Sequence, residues 1–186
     1  MKKNSNRNVQ LLSPFLPDDF PTLDRYDLEK PPDKLPISQI LLASREYLLE
    51  LLMALDGVRQ SPQYHPESDA LYHSLQVFDW AYRETDDPEL WLAALFHDIG
   101  KAVDSRQHCE IGAEMVAGIM PPRVVWLIRH HLDLMICPQQ TKRRLMNTTK
   151  LNDLQALRRW DLAGRDPVAV VQAPEAALQS ILQAFD

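Results

Sequence analysis

His97 and Asp98 stand side by side in Ala94-Leu95-Phe96-His97-Asp98-Ile99-Gly100-Lys101. A neutral imidazole and a carboxylate can both bind one divalent metal. Here they close an apolar helical run, where the backbone can turn and aim both inward. Two protein ligands hold a metal weakly, so the doublet requires partners elsewhere in the chain. The sequence offers His73 upstream, and His108, His130, His131 and Asp161 downstream, all in segments that read as helices. His73, His97, Asp98 and Asp161 make one nitrogen and oxygen set. Such a set suits iron, manganese, nickel, zinc or magnesium without distinguishing them. If His108 and one of His130 or His131 join, Asp98 can bridge two metals. His130 and His131 project roughly 100° apart on a helix, so they cannot serve one ion equally. One is then a ligand and the other a phosphate contact or an outer group, and the sequence leaves the choice open. Such a set can support hydrolysis by a metal-activated water, with a di-iron oxygenase reaction as the alternative for bound iron.

The plainer reading of each residue stands beside the sharper one. A lone helical histidine such as His73 is usually a core or surface residue. Asp161 has Arg158 and Arg165 within ion-pair reach on a helix. Yet Leu157, Trp160 and Leu162 set it among apolar neighbours, where a carboxylate needs a partner. Lys101 lies one turn beyond Asp98 and is placed to neutralise charge on phosphoryl oxygens; its alternative is a solvated surface lysine. His65 and Arg165 are candidates for contact with substrate. For His65 and Glu67 the competing role is to brace the helix that carries His73.

The elements that must position these residues are helical. Glycine is scarce, at 5 of 186 residues, and no long alternating run suggests a sheet. Pro14, Pro17, Pro21, Pro31, Pro32 and Pro36 exclude a continuous helix over residues 1–36. That segment is expected to run extended, with Leu11, Leu12, Phe15, Leu16 and Phe20 as anchors, or to form a loose leader. A globular domain is expected over 37–186. Ser38 reads as the cap of a helix through about Leu55 carrying Ile40, Leu41, Leu48, Leu51 and Leu52, with Gly57 as its stop. Asp69 caps a second helix with His73, Val77 and Ala81. Pro88 opens a third, which ends at the doublet. A fourth begins near His108, and Pro121-Pro122 opens a fifth that carries His130-His131. Asn152 or Asp153 starts the helix of Asp161, and an amphipathic run reaches Phe185.

Composition narrows the partners. Lysine and arginine total 20 against 26 acidic residues, a net charge of −6. That balance opposes sequence-independent grip on nucleic acid, which needs a basic surface. The two cysteines, Cys109 and Cys137, form no CxxC pair and read as reduced, which points to the cytoplasm. The N-terminus starts basic but lacks the apolar core and cleavage site of a secretory signal. No apolar stretch approaches the ~20 residues that span a bilayer, so no membrane partner is expected.

The pattern of His73, His97-Asp98 and Asp161 resembles the HD superfamily of metal-dependent phosphohydrolases, and the Ile-Gly-Lys after the doublet matches its usual surroundings. His108 and His130-His131 look like the extra ligands of its two-metal members. Gly57-Val58-Arg59-Gln60, His65-Pro66-Glu67-Ser68-Asp69 and Trp160-Asp161-Leu162-Ala163-Gly164-Arg165 are similar to the start and end of the HD domain in bacterial CCA-adding tRNA nucleotidyltransferases. The resemblance runs from Gly57 to Arg165 and lacks the nucleotidyltransferase head. It implies an all-α HD-domain helical bundle that holds one or two divalent metal ions. It further implies phosphomonoesterase or phosphodiesterase action on a small phosphorylated substrate such as a nucleotide, including 2′,3′-cyclic phosphates. RNA is left open as a ligand, and so is the oligomeric state. The rival from another class is a non-catalytic HD-like module that binds RNA or a nucleotide through Arg143, Arg144, Arg158, Arg159 and Arg165.

Overall fold

A computed structural model describes residues 35–185. The proline-rich segment and its apolar anchors lie outside the described residues. Those described form an all-α bundle, with a single antiparallel bridge between Arg59 and Asp69 and no strand among them. The helices are α1 (Ile37–Ala43), α2 (Arg45–Met53), α3 (Ala70–Glu84), α4 (Pro88–Phe96), α5 (His108–Met115), α6 (Pro122–His130), α7 (Asp133–Ile136), α8 (Pro138–Leu145), α9 (Thr149–Ala163) and α10 (Pro174–Ala184). A 3₁₀ turn, Ile99–Ala102, follows α4. No helix among the described residues is long and apolar enough to cross a membrane.

α4 is the axis of the bundle. Asp87 caps it by accepting from Glu89 N, and Pro88 fills the first turn, where a missing N–H costs nothing. Leu90 to Phe96 are all buried. A helix that is apolar on every side belongs at the centre, and α3, α6, α9 and α10 all pack on it. Its C-terminal end therefore delivers His97 and Asp98 to the middle of the molecule. α3 is buried on most sides through its middle, His73 to Phe78, and starts where Asp69 Oδ1 accepts from Tyr72 N. Asp69 Oδ2 also accepts from Gly57 N. Gly57 itself takes a φ of +75°, which only glycine adopts without strain.

Four helix boundaries depart from the sequence reading. The helix expected from Ser38 to Leu55 breaks at Ser44, which takes φ −95° and ψ 6° and sends its N–H to Ile40 O and Leu41 O. Its start is Pro36, whose fixed φ opens the first turn, so Ser38 sits inside the helix. α9 begins at Thr149, not at Asn152 or Asp153. Asp153 is instead buried on that helix and bonded to Arg123 at 2.9 Å, an ion pair that ties α6 to α9. α6 ends at His130, leaving His131 as the capping residue.

Candidate metal centre

Four imidazoles converge on Asp98 by the same device. His97 caps the C-terminus of α4 and His131 caps that of α6, in nearly identical backbone conformations. His97 Nδ1 donates to Ala94 O at 2.9 Å, and His131 Nδ1 donates to Ile128 O at 2.7 Å. His108, the first residue of α5, repeats the pattern with Ser105 O at 2.8 Å. His73 Nδ1 reaches across to Gly164 O at 2.8 Å, at the end of α9. A carbonyl oxygen can only accept, so each Nδ1 carries the proton and each neutral ring presents a lone pair at Nε2. Holding a histidine this way, from behind, is how proteins orient metal-ligating rings.

The Nε2 atoms meet carboxylates and one another. His73 Nε2 lies 3.1 Å from Asp161 Oδ1 and 4.0 Å from Asp98 Oδ2, while His97 Nε2 lies 3.3 Å from Asp98 Oδ2. On the other side of Asp98, Oδ1 is 3.3 Å from His108 Nε2 and 3.7 Å from His131 Nε2. Those two nitrogens are 3.2 Å apart. His73, His97, Asp98, His108 and His131 are all buried. His97 Nε2 is buried with no hydrogen-bond partner. Acceptors facing acceptors across 3 Å repel unless a cation or a proton lies between them. The donor set therefore fits a divalent cation, and His73, His97 and Asp161 can place three ligand atoms within 4.8 Å of one another.

Without a cation, protons take that place. Burial pushes His73 down, but the Asp161 and Glu67 carboxylates more than offset it and hold it up at about 9. His108 is likewise held at about 10: burial lowers it and Asp98 raises it further. His131, fully enclosed and beside His97, is lowered to about 3. Between facing His108 and His131 the proton thus rests on His108. Burial opposes the charge on Asp98 and Asp161, yet the surrounding imidazoles keep both carboxyls well below their ordinary range. The negative ends of the α4 and α6 dipoles add to the attraction for positive charge.

The elements that converge here, from the first residue of α3 to the last turn of α9, coincide with residues 70–162. Over those residues, half of the chain, the sequence matches the model of the HD domain. The chain belongs to the HD domain family. It is 35% identical over 97 residues to the "Multifunctional CCA protein" of Hahella chejuensis, covering 48% of this chain and 23% of that one. The "Multifunctional CCA protein" of Methylococcus capsulatus is 53% identical over 49 residues, covering 26% of this chain and 12% of its own length. That of Vibrio campbellii is 32% identical over 95 residues, covering 47% and 23%. The aligned part is thus less than a quarter of these curated relatives.

The cleft of this HD domain encloses about 160 Å³ and is lined by His65, His97, Asp98, Lys101, His108, His131 and Asp161, with Arg165, Leu132 and Met135 at its walls. Lys101 Nζ stands 2.5 Å from both Asp98 Oδ2 and Gln60 Oε1. Arg165 Nη2 is 3.3 Å from Asp161 Oδ1, and Nη1 donates to Tyr64 O. His65 Nδ1 is bonded to Glu67 Oε1 at 2.8 Å, and the same oxygen lies 2.9 Å from His73 Nδ1. Glu67 therefore braces both rings from behind. His130 is not brought into the cleft. One position along a helix turns it away from His131, so its ring stacks on Trp126 at 4.6 Å and its Nδ1 bonds Asp133 at 3.0 Å. The sequence context of Cys109, without a CxxC partner, assigns it no role. Its Sγ sits 3.6 Å from His108 Nε2, and the adjacency of Cys109 to His108 at a helix start was the available signal.

Proposed function

We propose that this HD domain is a metal-dependent phosphohydrolase acting on a nucleotide or a related phosphoester. The observation that carries the reading is the set of buried Nε2 lone pairs turned on two carboxylates, His97 Nε2 among them with no partner. A non-catalytic binding module has no need of such an arrangement. His73, His97, Asp98 Oδ2 and Asp161 would hold one divalent ion, and His108, His131 and Asp98 Oδ1 would hold a second. Bound there, a divalent ion supplies Lewis acidity, acidifying water and drawing charge from phosphoryl oxygens. Asp98, between both positions, accepts a hydrogen bond from the attacking water and so sets its direction. Lys101 and Arg165 stand at the rim, where they bind and orient phosphoryl oxygens. His65, held by Glu67, lines the same wall.

At about 160 Å³ the cleft is smaller than the roughly 300–1,000 Å³ that encloses a whole small ligand. It fits the phosphoryl end of a substrate. A groove of about 490 Å³ adjoins it, sharing Met135 and lined by Leu134, Leu162, Lys142, Arg158 and Arg159. Apolar and basic walls together suit the base and flanking phosphate of a nucleotide or an RNA end, a substrate class in keeping with relatives named CCA proteins. The free cysteines accord with a reducing, cytoplasmic setting. Purified protein, supplemented with divalent metals, is expected to hydrolyse members of a panel of nucleotide monophosphates, 2′,3′-cyclic nucleotides and aryl phosphates. Asp98→Ala is expected to lose both bound metal and that hydrolysis; full activity in this variant would end the proposal.

A further inference from the structure

The side of Asp98 that faces α5 and α6 carries a sulfur atom. Cys109 Sγ lies 3.6 Å from His108 Nε2 and 4.0 Å from His131 Nε2, and the two nitrogens are 3.2 Å apart. A tetrahedral zinc ion with Zn–S about 2.3 Å and Zn–N about 2.0–2.1 Å sets its ligands about 3.6 Å apart for nitrogen and sulfur, and about 3.3 Å apart for two nitrogens. The observed triangle is close to that face before any ion is added. Asp98 Oδ1 lies beside the two imidazoles, 3.3 Å from His108 Nε2 and 3.7 Å from His131 Nε2. Both imidazoles are turned by their Nδ1–H bonds to Ser105 O and Ile128 O, so neither nitrogen can satisfy the other in its neutral form.

We propose that Cys109, His108, His131 and Asp98 Oδ1 form a thiolate-bearing site for a soft divalent cation such as zinc, separate from the nitrogen and oxygen position of His73, His97 and Asp161. This deepens the metal-centre reading above and rests on it for the two imidazoles; the sulfur and the class of ion are new. Cys109 binds as the thiolate, its Sγ–H proton passing to water as the sulfur–metal bond forms. A thiolate favours zinc over magnesium or manganese, which prefer oxygen. His108, Cys109 and His131 place three ligand atoms within 4.8 Å of one another, and Asp98 Oδ1 beside the imidazoles would be the fourth. The ion there fastens α5 and α6 to Asp98, and the other position is left to face the substrate.

The test uses the full-length protein loaded with cobalt(II) as a spectroscopic stand-in for zinc. A near-ultraviolet sulfur-to-cobalt charge-transfer band is expected in the parent. It is expected to vanish in Cys109→Ser and to persist in Cys137→Ser, since Cys137 is exposed and takes no part in the site. It is also expected to persist in Asp161→Asn, which alters only the other position. X-ray absorption of the zinc-loaded parent should show one sulfur at about 2.3 Å, a readout that needs no variant. Cobalt bound through nitrogen and oxygen alone, or a band that survives Cys109→Ser, overturns the sulfur site. If hydrolysis and bound metal remain in that case, the phosphohydrolase reading stands without it; a thiolate band in a protein that hydrolyses nothing gives the converse result.

Discussion

At the scale of single residues the centre exchanges protons for cations. His73 and His108 each hold a proton on the nitrogen that a metal would take, at about 9 and about 10. Metal binding must displace both, so apparent affinity is expected to rise with pH and to level off above about 10. Calorimetric titration in buffers of different ionisation enthalpy should register about two protons released from these imidazoles per centre near neutrality; no release would contradict the arrangement. The sign for stability follows from the same shifts. Folded values above the usual 6.5 stabilise the metal-free protein fully below 6.5, and that contribution is lost as pH rises through about 9 and then about 10. Its melting temperature is expected to fall across that window, while the metal-loaded protein stays nearly level. The role proposed for Lys101 concerns turnover instead. It touches Asp98 Oδ2 from outside the imidazole set, so Lys101→Met is expected to lower kcat by on the order of 100-fold and to leave metal content unchanged. Metal loss in that variant would move Lys101 from the phosphoryl group to the ligand frame. Much at this scale was legible in the chain, because a His-Asp doublet after an apolar run is a compact signal. The choice between His130 and His131 was not, since both lie within one helix turn and only the exact end of α6 decides which faces inward. Cys109 escaped because its meaning depends on His131, 22 positions away.

At the scale of elements, the centre depends on how closely the 3₁₀ turn of Ile99–Ala102 approaches α5. A Cβ on Gly100 would lie 2.1 Å from His108 O and 2.8 Å from Gly112 N, both backbone atoms that cannot swing aside. Glycine is required here by proximity, and the same contact sets the distance between Asp98 and His108. Gly100→Ala is expected to destabilise the fold by roughly 1–3 kcal/mol or more and to lower metal occupancy, read by denaturant unfolding and by elemental analysis. Unchanged occupancy would mean that the turn and α5 can part without disturbing the ligands. Gly164 plays the corresponding part between α9 and α3: a Cβ there would lie only 2.8 Å from Val77 Cγ2, and its carbonyl holds His73. Helix identities were legible because caps and prolines mark them locally, as Asp69 and Pro88 do. The break at Ser44 and the early start of α9 were not. Both arise from packing: α1 and α2 each lie on α10, and Asp153 is drawn inside α9 by Arg123.

At the scale of the whole molecule, charge and size decide how a substrate is gathered. The chain carries a net −6, so a phosphate approaches against the overall field and must be drawn in by local positive charge. Inside the cleft the proposed metal centre, Lys101 and Arg165 would supply that charge. Beyond it, the adjoining groove supplies Lys142 and Arg158 beside the apolar surface of Met135 and Leu162. The two regions should therefore separate in kinetics. On the proposed reading, a small aryl phosphate would use only the cleft, whereas a dinucleotide or longer substrate would also cross the groove. Reversing Lys142 and Arg158 together to glutamate is expected to raise KM for the longer substrate on the order of 10-fold, with kcat and all parameters for the aryl phosphate close to the parent's. Added salt should narrow the difference, because exposed charges are screened within about 10 Å at 0.1 M. An equal loss for both substrates would show that the groove supports the fold rather than the ligand. No effect on either would place the remainder of the substrate on another face of the HD domain.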